Sequence, residues 1–180
     1  NIVQEYNPST NTWSTKTPMP TARENYTGVV VNNKIHVLGG TSHGSTYSTL
    51  NKHEIYDPSN NSWSTYSSTL PNSLSNFSAI ALNNSIFIFG GRLYNSNLSD
   101  KTYILNLATS TWSIGASLPL GLKNTSCTSD SSYVYIFGGE FGSTSRTTYN
   151  LVYDPDNDMY FQEAPLPTPR HGTKAVCIGH

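Results

Sequence analysis

Three Gly-Gly pairs, each closing a short β-branched or aromatic run, constrain this chain more than any other feature. The runs are KIHVLGG, SIFIFGG and YVYIFGG, so the pairs are Gly39-Gly40, Gly90-Gly91 and Gly138-Gly139, spaced by 51 and 48 residues. Trp13, Trp63 and Trp112 recur at 50 and 49 residues, and Tyr160 continues that series 48 residues later. Seven residues before these rings stand Tyr6, Tyr56, Leu105 and Tyr153. A turn follows each of the three tyrosines, as Asn7-Pro8, Asp57-Pro58 and Asp154-Pro155, and Met-Pro or Leu-Pro closes the copies at Pro20, Pro71, Pro119 and Pro167. Marks that hold register over four copies make this chain a repeat, and a repeat dictates the architecture.

Within one copy the pattern is that of strands. YTGVVV, KIHVLGG, HEIYDP and SWSTYS are short, β-branched or aromatic, and separated by Asn, Ser, Gly and Pro clusters. Asn-Asn pairs tolerate the left-handed conformations that tight hairpins require. No stretch carries a 3.6-residue apolar stripe, so an all-β chain without helix is expected. Four antiparallel strands per repeat of about 49 residues are the unit of a β-propeller blade.

The Gly-Gly, Tyr-Asp-Pro and Trp elements together resemble the kelch repeat, over the whole chain. The departures are Leu105 for Tyr, Asn106-Leu107 for Asp-Pro and Tyr160 for Trp, with the arginine after the closing Pro present only at Arg23 and Arg170. The resemblance implies that the Gly pairs end the second strands, where backbone crowding excludes a side chain. It also implies that Trp13, Trp63, Trp112 and Tyr160 pack between blades with the residue seven positions earlier. Residues 1–20 are then the end of one blade, 21–71, 72–119 and 120–167 three repeats, and 168–180 the start of another. About 3.7 blades do not make a ring, and open sheet edges need protection. A segment of a larger propeller is therefore expected, completed by the remainder of the ring or by a neighbouring chain.

Composition excludes several functions. Only 12% of residues are charged and the net charge is -1, which leaves no clustered Lys and Arg for a nucleic-acid backbone. No apolar run approaches the ~18–20 residues of a membrane span, and Asn1–Thr10 shows no leader pattern. Cys127 and Cys177 fall in the first strands of adjacent blades and are expected as buried, unpaired thiols. Asp154, Asp156 and Asp158 resemble the start of a calcium loop, but Met159 and Pro165 stand where Gly and Glu are required, so a plain turn is expected. His36, His43, His53, His171 and His180 show no metal-ligand spacing, and no nucleophile, phosphate or dinucleotide motif is present. No metal or cofactor is expected. Six Asn-x-Ser/Thr sequons, at Asn25, Asn60, Asn76, Asn83, Asn97 and Asn124, are about as many as this Asn-, Ser- and Thr-rich composition produces by chance. The sparse lysine and neutral polar surface lean towards an extracellular or cell-surface setting.

Propeller function resides in loops. Those after Gly-Gly (Thr41–Tyr47, Arg92–Asn97, Glu140–Arg146) and after the closing Pro (Thr21–Tyr26, Asn72–Phe77, Leu120–Asn124, Thr168–His171) are expected on one face. They carry all four arginines, Arg23, Arg92, Arg146 and Arg170, with Lys123 and the rings of Tyr26, Tyr47, Phe77, Tyr94 and Phe141. Forked guanidinium groups beside rigid rings suit carboxylate-bearing partners. The resemblance implies a non-catalytic recognition module that binds a protein segment or a glycan there. It leaves two alternatives: an enzyme of the galactose-oxidase or sialic-acid-epimerase type, or a structural component of an extracellular assembly.

Overall fold

The computed structural model describes residues 1–44 and 47–178, with the side chain of Tyr47 outside the described set. Every regular element among the described residues is a strand, so no helix is available to cross a membrane. The chain opens with the hairpin β1 (Val3–Asn7) and β2 (Thr12–Lys16). The first full sheet follows from β3 (Thr27–Val31) and β4 (Lys34–Leu38). A small hairpin of β5 (Thr41–His43) and β6 (Tyr47–Thr49) interrupts it before β7 (His53–Asp57) and β8 (Ser62–Thr65). The next repeat contributes β9 (Leu74–Ser75), β10 (Ser78–Leu82), β11 (Ser85–Phe89), β12 (Arg92–Leu93), β13 (Thr102–Asn106) and β14 (Thr111–Gly115). The last comprises β15 (Ser126–Ser129), β16 (Val134–Phe137), β17 (Glu140–Phe141), β18 (Ser145–Arg146), β19 (Asn150–Asp154) and β20 (Met159–Gln162). Three four-stranded antiparallel sheets result, ordered β3-β4-β7-β8, β10-β11-β13-β14 and β15-β16-β19-β20. This is a kelch-type β-propeller architecture.

The marks read from the sequence have physical causes. The seven-residue spacing is a cross-strand pair of the outer hairpin: Tyr6 faces Trp13, Tyr56 faces Trp63, Leu105 faces Trp112 and Tyr153 faces Tyr160. The three ring pairs repeat one geometry, with centroids 5.1, 5.1 and 4.9 Å apart and planes at 41°, 42° and 43°. Tyr160 uses its hydroxyl across the sheet junction, 2.5 Å from Thr102 Oγ1. The Gly pairs touch the next repeat. Gly40, Gly91 and Gly139 donate their N–H to the carbonyls of Leu74, Leu122 and Arg170, at 2.8, 2.7 and 2.9 Å. A Cβ on Gly90, whose φ is +65°, would sit 2.3 Å from the Leu122 oxygen, so no side chain fits there.

Alternation along β11 divides the core into two layers. Ile86 and Ile88 pack with Leu38, Leu74, Phe77, Tyr103 and Leu105 between the first and second sheets. Phe87 and Phe89 pack with Leu122, Val134, Ile136, Leu151 and Tyr153 between the second and third. A hydrogen-bonded ladder joins the repeats at a fixed place, five residues after each closing Pro. Asn76 N donates to Asn25 O, Asn124 N to Asn76 O and Gly172 N to Asn124 O, at 2.9, 2.7 and 2.8 Å. All four residues have positive φ, between 54° and 62°, which Asn and Gly accept.

Two expectations are corrected at the end of the chain. Residues 173–178 form no strand: β3, β10 and β15 are each held by a second strand, and no described segment pairs with 173–178 in that way. Thr173 still reaches Ser126, hydroxyl to hydroxyl, at 3.0 Å. Cys177 is consequently exposed rather than buried. Cys127 is half-buried against the second core layer, where burial pushes its thiol up to about 12.

Candidate recognition surface

The two sets of loops are joined by short antiparallel pairing at equivalent places. Glu24 pairs with Thr41, Ser75 with Arg92, and Lys123 with Glu140. The first member lies four residues after a closing Pro and the second directly after a Gly pair. One rim thus presents a different pair from each repeat, fixed to the rigid sheet behind it.

The expected binding residues separate into distinct environments. Arg23 lies inside, 9% exposed: its Nη2 donates to Glu54 Oε2 at 2.5 Å, and Nη1 donates to the Gly39 carbonyl at 3.0 Å. Burial draws this guanidinium below its usual range, against the pull of Glu54. Three residues after the other closing prolines stand Leu74, Leu122 and Arg170. Both leucines are fully buried, so the place is an interior one that Arg23 fills with a charge. Arg170 is exposed and turns back on Thr168. Phe77 is also interior, 5% exposed, packed over Gly39 and Gly91.

On the third repeat Lys123 has an acidic partner, and Arg146 is hydrogen-bonded to a histidine. Lys123 Nζ lies 3.2 Å from Glu140 Oε1, Asn124 Nδ2 donates to Glu140 Oε2 at 3.2 Å, and Arg146 Nε donates to His171 Nδ1 at 2.8 Å. Burial raises the Glu140 carboxyl, but Lys123, Asn124 and His171 together hold it below the usual range. Phe141 stands beside this cluster, 37% exposed. On the first repeat His43 Nε2 meets Glu24 Oε1 at 2.8 Å, and Tyr26 is half-exposed against Gly40. The side chain of Tyr47, like His180, lies outside the described residues.

Arg92 stands apart by its setting: Arg146 and Arg170 also lack a carboxylate partner among the described residues, but both are exposed, whereas Arg92 is half-buried. Its Nη2 donates to Ser96 Oγ at 2.9 Å, and among the described residues no carboxylate lies within ion-pair distance. It borders a cleft of about 330 Å³ whose other walls are Ser48, Thr49, Ser73, Ser75, Ser96, Leu93 and Tyr94. Tyr94 is 79% exposed at its mouth. An uncompensated guanidinium among hydroxyl groups is chemically suited to a carboxylate that also needs hydrogen bonds.

The sequence reading missed one repeated group. Five residues after Tyr6, Tyr56, Leu105 and Tyr153 come Asn11, Asn61, Ser110 and Asp158, all at φ between 49° and 56°. Asn61 Oδ1 accepts from Tyr56 Oη at 2.9 Å and from the backbone N–H of Thr17, in the preceding repeat, at 2.8 Å. Asp158 Oδ1 does the same for Tyr153 Oη and Ala116 N, at 2.7 and 2.6 Å. The signal was a short polar residue two positions before each Trp-place ring.

Comparison with known proteins agrees with this geometry. A family model described as the KLHDC2/KLHL20/DRC7 Kelch-repeats domain matches residues 1–113. The chain belongs to the kelch-repeat family. Kelch-like protein terF of Aspergillus terreus (strain NIH 2624 / FGSC A1156) is 27% identical over 191 residues, covering 99% of this chain and 41% of its own length. Kelch-like protein 24 of Rattus norvegicus is 32% identical over 117 residues, covering 65% of this chain and 18% of its own. The kelch chain thus spans less than half the length of these curated relatives. The solved structure of YjhT superposes with a TM-score of 0.80 at 17% identity, over 89% of this chain and 57% of YjhT, which is a likeness of fold.

Proposed function

We propose that this kelch domain is a recognition module whose loop face takes a carboxylate-bearing protein segment, with the carboxylate seated on Arg92. The observation that carries the reading is the placement of the Arg92 guanidinium, with no carboxylate partner among the described residues, at a hydroxyl-lined cleft. The pairing of neighbouring charges supports it, because Lys123 and Arg23 are already engaged by Glu140 and Glu54. Kelch-like and related kelch-repeat relatives make a protein partner the natural class, and an acidic glycan is the competing ligand.

The test is a fluorescence-polarisation screen of Asp/Glu-containing peptides against their Asn/Gln counterparts, followed by acidic oligosaccharides as competitors. A charge-assisted pair contributes about 1.5–3 kcal/mol, so Arg92→Ala is expected to weaken the best acidic peptide about tenfold or more. Acidic and amide peptides binding alike, or Arg92→Ala binding as wild type does, would overturn the proposal. We read the three sheets and the β1–β2 hairpin, further, as part of a ring with more blades than these, because the faces at both ends are bare: Trp13 is 67% exposed and Phe161 43%.

A further inference from the structure

We propose that Ser96 is a positioning residue of the loop face: it holds the Arg92 guanidinium at the cleft, and it keeps a left-handed backbone conformation to do so. This deepens the Arg92 reading and rests on it for what is bound, whereas the placing of the guanidinium is testable without any ligand.

The loop is a tight hairpin. Arg92 bridges Leu98, Leu93 N–H donates to the Asn97 carbonyl at 2.9 Å, and Ser96 N–H donates to the Leu93 carbonyl at 3.0 Å. Tyr94, Asn95 and Ser96 make the turn, and Ser96 has φ 71°. Hairpin turns of this length end on a left-handed residue, and glycine is its usual occupant. In that conformation the Cβ of an L residue crowds the following carbonyl oxygen. The corresponding hairpin of the third repeat follows the rule, with Gly142 at φ 60°. Among the described residues every other non-glycine residue with positive φ is Asn or Asp, apart from Ser110. Ser110 lies 3.0 Å from Tyr66, hydroxyl to hydroxyl.

Ser96 uses its hydroxyl on Arg92, whose Nη2 donates to Ser96 Oγ at 2.9 Å. Both residues border the same cleft. An arginine side chain has many rotamers, and ordering it when a ligand arrives costs affinity. A contact that orders the guanidinium beforehand removes that cost. Glycine at this place would relax the backbone and lose the acceptor; serine keeps the acceptor and bears the strain. Backbone strain matched to a hydrogen bond on the charged group of a cleft points to a functional constraint.

Ser96→Gly and Ser96→Ala both remove the oxygen, and only the first relieves the backbone. The placing of Arg92 is read in the ligand-free chain by phenylglyoxal labelling of arginines, followed by mass spectrometry. Both variants are expected to label Arg92 about threefold faster than wild type or more, with Arg146 and Arg170 unchanged. Ser96→Ala is expected to melt about 2–4 °C below Ser96→Gly. Both are expected to bind the best acidic peptide about fivefold more weakly, and Ser96→Gly is expected to change nothing further in Arg92→Ala. Unchanged labelling of Arg92, or faster labelling at all three arginines, overturns the proposal. So does Ser96→Ala melting above Ser96→Gly, or a further loss of binding when Ser96→Gly is added to Arg92→Ala. Acidic and amide peptides that bind alike, beside faster labelling of Arg92 alone, would instead refute the acidic partner and uphold the placing of Arg92 by Ser96.

Discussion

Replacing Glu54 with Gln isolates the role of Arg23. The guanidinium is 9% exposed and its ion-pair partner among the described residues is Glu54, at 2.5 Å. Removing one member of such a pair strands a buried charge and costs about 3–5 kcal/mol. For a chain of this size each kcal/mol moves the melting temperature by about 2–4 °C, so a fall of about 6–20 °C is expected for Glu54→Gln. The molecule supplies its own control. The places of Arg23 and Glu54 are held by Leu122 and Leu151 in the third repeat, both within the second core layer and at most 1% exposed. The double variant Arg23→Leu/Glu54→Leu copies that pair and is expected to melt within a few degrees of wild type or above it. Thermal and urea unfolding followed by circular dichroism, run as a double-mutant cycle, provide the readout. If the single variants melt as wild type does, or the double variant loses the sum of both single losses, Arg23 is not held as described.

Two further outcomes follow from burial. In the folded chain at pH 8, a thiol reagent is expected to label Cys177 and spare Cys127, whose thiol burial pushes up to about 12; both label once the chain is unfolded. Labelling of both at equal rates in the native state would contradict the placement of Cys127. The second outcome concerns the buried pair His36 and His53, whose Nδ1 and Nε2 lie 2.8 Å apart and share one hydrogen bond. Burial first, and the neighbouring His36 second, draw His53 down to about 3 from an ordinary 6.5. The unfolded chain therefore binds more protons between these values, and stability falls as pH drops from about 6.5 towards 3. The melting temperature is expected to decline between pH 7 and pH 5, above the range where carboxylates titrate, and to decline less in His53→Leu; equal slopes would refute the assignment.

The architecture was legible because it is periodic. Gly pairs, cross-strand aromatic pairs and closing prolines repeat their spacing, and each spacing is a distance along a hairpin or between sheets. What the sequence could not show was direction. Arg23 and Phe77 sit in loops by position, yet they turn into the core, and only Leu74 and Leu122 at the matching place hint that the Arg23 position is interior. The difference between Arg92 and Lys123 was equally hidden. It depends on whether the residue paired across the rim is Ser75 or Glu140, which is a matter of three-dimensional register. The polar residue at Asn11, Asn61, Ser110 and Asp158 was visible as a repeat, but its two-way hydrogen bonding emerges only once neighbouring repeats are in contact.

Recognition by the loop face is most directly tested by hydrogen–deuterium exchange of the chain with and without its best acidic peptide. The account predicts slowed exchange in the two loops that flank the Arg92 cleft, residues 72–77 and 92–97, and its loss in Arg92→Ala. Protection confined to the outer turns around Asn60 and Thr109, or to the bare β1–β2 face, would contradict it.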